Sequence, residues 1–221
     1  MKMRAPAIPL ITVDPFFSVW SPDENINFAK TIHWTGKSNS IIGTVNVDGK
    51  IYSFLGYHRD LKKMAQVSLD IDALTTTAVF EKDGIRLTAV FTTPTLPDDY
   101  RLLTRPVSYM ALSYESIDGK AHNVSATVKA SEELCLDVPG QSPVEVSAVS
   151  PCECVKGMKM GNTVQNPLNR SGDDHRIDWG YFYLAAKGEG VVCDSELIKT
   201  QTYVKVSAPL CENETRLNLF A

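Results

Sequence analysis

Between positions 170 and 179 the chain carries Arg170, Asp173, Asp174, His175, Arg176, Asp178 and Trp179. Three carboxylates, an imidazole and two guanidiniums at this spacing could do three kinds of work. Neighbouring carboxylates serve as acid and base when their surroundings drive their pKa values apart. Aspartates in a loop also ligate a hard cation. The blander reading is that they cap turns and pair with Arg170 or Arg176, locking a loop onto the first turn of a strand. None of these residues is assigned a catalytic or metal-binding role. Asp173, Asp174, His175, Arg176, Asp178 and Trp179 are read as candidates for binding or for contact with another domain.

Two smaller constellations stand upstream. His33 and Trp34 are adjacent and could line a pocket for a sugar or an amino acid, although a histidine satisfied by local bonds is the commoner case. Tyr57-His58-Arg59-Asp60 is the other. Cysteine chemistry is less defined. Cys135, Cys152, Cys154, Cys193 and Cys211 are odd in number, and the spacing of Cys152 and Cys154 falls short of a zinc pair with no second pair to complete it. They read as buried thiols that behave as small hydrophobes, with the redox state open. Asn123-Val124-Ser125 and Asn213-Glu214-Thr215 match the glycosylation sequon, a short and permissive pattern. No nucleophile elbow, metalloprotease helix or phosphate loop occurs, and no motif implies a cofactor.

The elements that must position these groups are strands. Asp48-Gly49 lies between two alternating runs and is a strong hairpin signal, setting Val47 opposite Lys50, Val45 opposite Tyr52 and Gly43 opposite Phe54. A one-residue slip would scatter the apolar set over both faces. Asp83-Gly84 repeats the device and sets Phe80 against Leu87 and Glu81 against Arg86, a core pair and a cross-strand ion pair. Asp118-Gly119 marks a third turn, and the even spacing of the three gives a hairpin rhythm without a sequence repeat. Residues 66–74, 144–149, 179–186, 191–193, 202–207 and the terminal run alternate as further strands, with Tyr181 and Tyr183 on one face and Phe182 on the other. The three prolines within residues 6–20 describe an extended arm over an apolar surface. Residues 57–66 alone could hold a short helix, and residues 151–174 show no element at all. A connection that long generally binds something or packs on a partner. The expected class is all-β: an antiparallel β-sandwich built from hairpins, with a long irregular loop before a late aromatic strand.

The bulk numbers fit one large β region. With 221 residues, 43% hydrophobic and 22% charged, the chain can bury a core without staples. Residues 1–65 read as the arm plus first hairpin, and 66–221 as the main sandwich. A net charge of −4 with no basic run gives a nucleic-acid partner no electrostatic footprint. No transmembrane stretch of ~20 apolar residues occurs, and the first residues lack the apolar core of a secretory signal. The run ending at Ala221 alternates like a strand and stops without a polar tail, which reads as a piece of a longer chain.

Three segments carry a family likeness. Arg4-Ala5-Pro6-Ala7-Ile8-Pro9-Leu10-Ile11-Thr12-Val13-Asp14-Pro15-Phe16-Phe17-Ser18-Val19-Trp20-Ser21, then His33-Trp34-Thr35-Gly36 with the Asp48-Gly49 hairpin, and finally the stretch from Arg170 through Asp178-Trp179-Gly180-Tyr181 to Ala185, resemble the glutaminase A family. The resemblance implies a multidomain, often exported (periplasmic or secreted) protein named for hydrolysis of glutamine to glutamate and ammonia. It implies that this chain is the N-terminal β-sandwich part, that a helical toroid follows as its partner, and that the catalytic residues lie chiefly in that toroid. The expectation is a supporting module, inactive alone, with a small amino-acid or sugar ligand at the interface. The competing expectation is a carbohydrate-binding or ancillary module of a glycan-degrading enzyme, using Trp34 and Trp179 as stacking surfaces.

Overall fold

The computed structural model describes residues 5–220. Residues 1–4, where the sequence shows no apolar leader, and residue 221 at the end of the terminal run lie outside them. Strands β1 (Ile8–Asp14) and β2 (Phe17–Ser21) pair as an antiparallel hairpin, so the proline-bearing arm folds back on itself rather than running on extended. Then follow β3 (Ile41–Val47), β4 (Lys50–Leu55), the short β5 (Lys62–Lys63), β6 (Ala65–Ile71), β7 (Thr75–Lys82) and β8 (Ile85–Thr92). After a single helical turn at Tyr100–Leu103 come β9 (Ser108–Ser116), β10 (Val124–Ser131) and a 3-10 turn at Glu132–Leu134. The rest is β11 (Val144–Cys152), β12 (Val155–Asn162), β13 (Tyr181–Lys187), β14 (Val192–Ile198), β15 (Gln201–Leu210) and β16 (Arg216–Phe220).

Two large sheets result. One has six strands in the order β14-β15-β10-β3-β4-β5; the other has eight in the order β11-β12-β13-β16-β9-β8-β7-β6. Strands β7 to β10 bury alternate residues, because period-two side chains put one face on the core and the other in water. The faces meet at Phe54 from β4 and Phe80 from β7, both fully buried with ring centroids 6.1 Å apart. Burying each such side chain is worth about 1.5–3 kcal/mol. The β1–β2 hairpin leans on the eight-stranded sheet through Phe17 against Phe182 and through Thr76 Oγ1, which donates to the Pro9 carbonyl at 2.7 Å.

The first two Asp-Gly hairpins keep the expected pairs Val47–Lys50, Val45–Tyr52, Phe80–Leu87 and Glu81–Arg86. Arg86 bridges Glu81 at 2.6 Å and also reaches Glu115 at 2.7 Å. One register differs. Gly43 faces Leu55, not Phe54, because Phe54 is the extra residue of a β-bulge and its ring lies over the space a Gly43 side chain would fill. The third Asp-Gly turn closes no hairpin: β9 and β10 belong to different sheets, so it carries the chain across the sandwich.

All three Asp-Gly turns meet at one end of the molecule. His122 lies between Asp48 at 2.7 Å and Asp118 at 3.0 Å. Asp83 accepts from Lys50 Nζ at 2.9 Å and Tyr52 Oη at 2.7 Å. The two carboxylates hold the His122 imidazole above its ordinary pKa, and the His122 bond in turn lowers Asp118 to about 2.

Two further expectations are corrected. Residues 57–66 hold no helix but a bend followed by β5 and the start of β6. Residues 151–174 are not structureless throughout: 151–162 complete β11 and form β12, and the irregular loop is 163–180. Strand β12 escapes notice because glycines and lysines interrupt its apolar set, yet Met158 and Met160 are buried. The five cysteines are not uniformly buried either: Cys135 is, whereas Cys152, Cys154 and Cys211 are exposed.

Candidate functional site

The loop 163–180 leaves β12 and returns into β13, and side-chain bonds tie its two ends. Asn162 Nδ2 donates to the Asp178 carbonyl at 2.8 Å, and Gln165 holds Gly180 through both its amide nitrogen and its oxygen. At the tip Leu168 is 80% exposed and adopts a left-handed backbone with φ 54°, an unfavourable setting for a large side chain.

Arg176 fastens the loop from within. It is buried, and its guanidinium donates to Asn39 Oδ1 at 2.8 Å, the Glu133 carbonyl at 3.2 Å and the carbonyls of Ser38 and Asp137. Burial draws its pKa down while Glu133 and Asp137 oppose the shift; a guanidinium remains cationic even so. Its partner Asp137 is also buried. That carboxylate accepts from the Arg176 amide at 3.0 Å, Lys37 Nζ at 3.2 Å and Arg170 at 2.6 Å. Burial alone would raise Asp137, but the Arg176 amide and Lys37 outweigh it and hold the carboxyl below its usual value. Glu133 behaves likewise: burial pushes it up, and bonds from Gln201, Ser38, Ser40 and Ser131 bring it below normal.

The β1–β2 turn is the hub that joins the two constellations. Asp14 Oδ1 accepts from the Phe16 and Phe17 amides at 2.7 and 3.0 Å, shaping the turn. The Pro15 carbonyl then accepts from His33 Nε2 at 3.0 Å and Trp34 Nε1 at 2.6 Å. The next carbonyl, Phe16, takes the Ile177 amide at 3.0 Å. His33 is fully buried with Thr35 Oγ1 on its other nitrogen at 2.9 Å, and burial pulls its pKa down. Trp34 remains 50% exposed. Two small cavities of about 180 and 170 Å³ flank the turn, and Asp14, Ile177 and Trp179 line both.

The structure thus brings His33, Trp34, Arg176 and Trp179 to one end of the sandwich but gives them different duties. His33 and Arg176 are internal ties. Asp178 accepts from Gln141 at 2.7 Å. Asp174 is exposed and offers its carbonyl to Lys37 at 2.6 Å. Asp173 is exposed and takes no part in these bonds. His175 donates from Nε2 to the Ser171 carbonyl at 2.9 Å, which leaves Nδ1 buried, unbonded and 3.8 Å from Asp137 Oδ2. Among the described residues no group of three His, Cys, Asp or Glu side chains could hold a metal ion. The 57–60 residues lie elsewhere, lining a broad cleft of about 880 Å³ with Lys30 and Lys199. Among the described residues no helix is long and apolar enough to cross a membrane.

Outward, this end presents apolar side chains. Phe16 at 49% and Leu168 at 80% exposure line one cavity together, with Trp34 adjoining through Pro15. Asp137, Glu133 and Lys37 were not foreseen, because they sit in no motif. The one available signal was Glu132-Glu133 running directly into Leu134-Cys135-Leu136, two acids too close to a buried run to be wholly solvated.

Comparison with known proteins adds family context. Residues 74–214 match the family described as a domain of unknown function, DUF5127, and residues 1–67 match another such domain, DUF4964. Glutaminase A of Aspergillus oryzae is 29% identical over 140 residues, covering 59% of this chain and 20% of the relative. The relationship is distant, and the aligned part is about a fifth of that protein's length. A putative kojibiose phosphorylase from the human microbiome superposes over 94% of this chain and 25% of its own, at 9% identity and a TM-score of 0.42.

Proposed function

This chain belongs to the DUF5127 family, and from that premise we propose that it is the supporting β-sandwich module of a glutaminase A-like protein, docking a helical domain that carries the chemistry. The observation that supports this most is the division of labour in the 163–180 loop. Its buried Arg176 and the Asp137 beneath it are spent on internal bonds, Arg176 to main-chain carbonyls and Asn39, Asp137 to Lys37 and Arg170. Beside the loop's exposed polar residues, this end of the sandwich also turns outward three large apolar side chains, Leu168 from the loop with Phe16 and Trp34 next to it. Apolar side chains gathered at one end mark a surface made for contact. The distant likeness to a glutaminase suggests the reaction of the whole protein, amide hydrolysis of glutamine.

Ammonia release from glutamine tests the reading, with this chain assayed beside the full-length natural protein. Activity confined to the longer protein is the expected result. Activity in this chain alone would move catalysis into the sandwich and overturn the proposal. The half-exposed Trp34, its ring edge fixed by the Pro15 carbonyl, favours one second reading, a stacking surface for a sugar. Silence in both glutamine assays together with retention on a glycan array, lost in Trp34→Ala, would select it.

A further inference from the structure

The β11–β12 hairpin ends in a two-residue turn, Glu153-Cys154, across which Cys152 pairs with Val155. Both cysteines are exposed, and their Sγ atoms stand 3.0 Å apart. The backbone there is held from two sides. Ser150 Oγ lies 3.2 Å from the carbonyls of Cys152 and Val155, and the Gly188 amide donates to the Cys154 carbonyl at 2.9 Å. Lys187 pairs with Val155 on the adjoining strand and so puts a positive charge beside the turn.

We infer that Cys152 and Cys154 form a thiol–disulfide exchange site, a dithiol that takes up and returns a single disulfide. The attacking group is Cys152. Its thiol is drawn below the usual value by the bond from Cys154, then by the Cys154 and Val155 backbone and the Lys187 charge, while Cys154 is raised as the donor. Thiolate character and access together set reactivity. The other thiols contrast with this pair: Cys135 is buried, donates to the Glu132 carbonyl and is pushed up to about 12, and burial also raises Cys193.

The reaction balances with a small-molecule disulfide such as oxidised glutathione. The Cys152 thiolate attacks one glutathione sulfur, the glutathione S–S bond breaks, and one glutathione leaves as thiolate and collects a proton. Cys154 then loses its proton, attacks Cys152 Sγ, and expels the second glutathione as a thiol. The protein gives up two protons and two electrons, and the glutathione disulfide accepts them. A bridge spanning one residue removes little freedom from the unfolded chain. Exposed bonds are the readily reduced ones. This bond therefore exchanges rather than staples.

The test incubates the whole chain in glutathione buffers graded from reduced to oxidised, then quenches with acid, alkylates and weighs the peptides. Cys152 and Cys154 should lose alkylation together, in one peptide lighter by two hydrogens, and regain it when reduced glutathione is restored. In Cys154→Ser, Cys152 should instead stop at a glutathione adduct. Alkylation of both positions across the whole series, or two separate adducts in the unsubstituted chain, would overturn the site. Far-UV circular dichroism checks that the serine variant is folded, and the unsubstituted chain decides the question by itself.

Discussion

Arg176 shows what a single buried cation can do for a loop. Its guanidinium gathers carbonyls from two separated parts of the chain, Ser38 in one and Glu133 and Asp137 in the other, and buried carbonyls need such partners. Removing one member of a buried charged network strands the rest. Arg176→Met should therefore destabilise the chain by about 3 kcal/mol, read as a lower urea midpoint at unchanged slope. Arg176 and Trp179 stood out in the sequence because they share a dense cluster, but the pairing expected for the arginine, with the aspartates beside it, is not the one it makes: its bonds run to Ser38, Asn39, Glu133 and Asp137. The partners were hidden. A buried Asp137 or Glu133 looks in sequence like any surface acid, and only the fold, bringing residue 137 to residue 176, reveals the difference.

Among the elements, hairpins with their own turn chemistry were legible and long-range pairings were not. Asp83-Gly84 dictates the β7–β8 register through local geometry, whereas nothing near Asp118-Gly119 says that β9 and β10 part to different sheets. The Gly43 bulge was likewise invisible, because it depends on where the Phe54 ring comes to rest. A Cβ on Gly43 would lie 2.5 Å from that ring and 2.9 Å from Leu55 Cβ. Phe54 is packed against Phe80 and cannot swing away, so Gly43→Ala should cost about 1–3 kcal/mol by overpacking, measured by chemical unfolding.

The cluster of Asp-Gly turns makes a pH prediction. His122 has a raised pKa, so its contribution is complete below the unfolded value of 6.5 and is lost as pH rises through the folded one. Asp118 is depressed, so its contribution is present above 3.8 and is lost as pH falls towards about 2. The lock is whole between those two unfolded values. His122→Gln keeps hydrogen-bonding groups but not the charge. The gap in thermal midpoint between it and the unsubstituted chain should be widest at pH 4–6 and shrink towards pH 9.

At the scale of the molecule, the proposed docking end can be separated from the fold it belongs to. Phe16→Ser combined with Leu168→Asn removes exposed apolar surface, and asparagine tolerates the left-handed backbone at position 168. The stability of this chain alone should stay within about 0.5 kcal/mol per site. The full-length protein should lose thermal stability and glutamine hydrolysis if these side chains meet a second domain.

Strand β16 has a role that its place in the order of synthesis makes unusual. It pairs with β13 on one side and β9 on the other, so it is the seam between β11-β12-β13 and β9-β8-β7-β6. A ribosome delivers both blocks before it delivers the seam, and each waits with one strand edge bare. Bare edges recruit other chains. The interval before residues 216–220 emerge is thus when neighbouring nascent copies can cross-pair, and a holding chaperone would have most effect there. Ending the chain after Thr215 makes that interval permanent: the shortened protein should form aggregates by light scattering at concentrations where the longer one stays monodisperse.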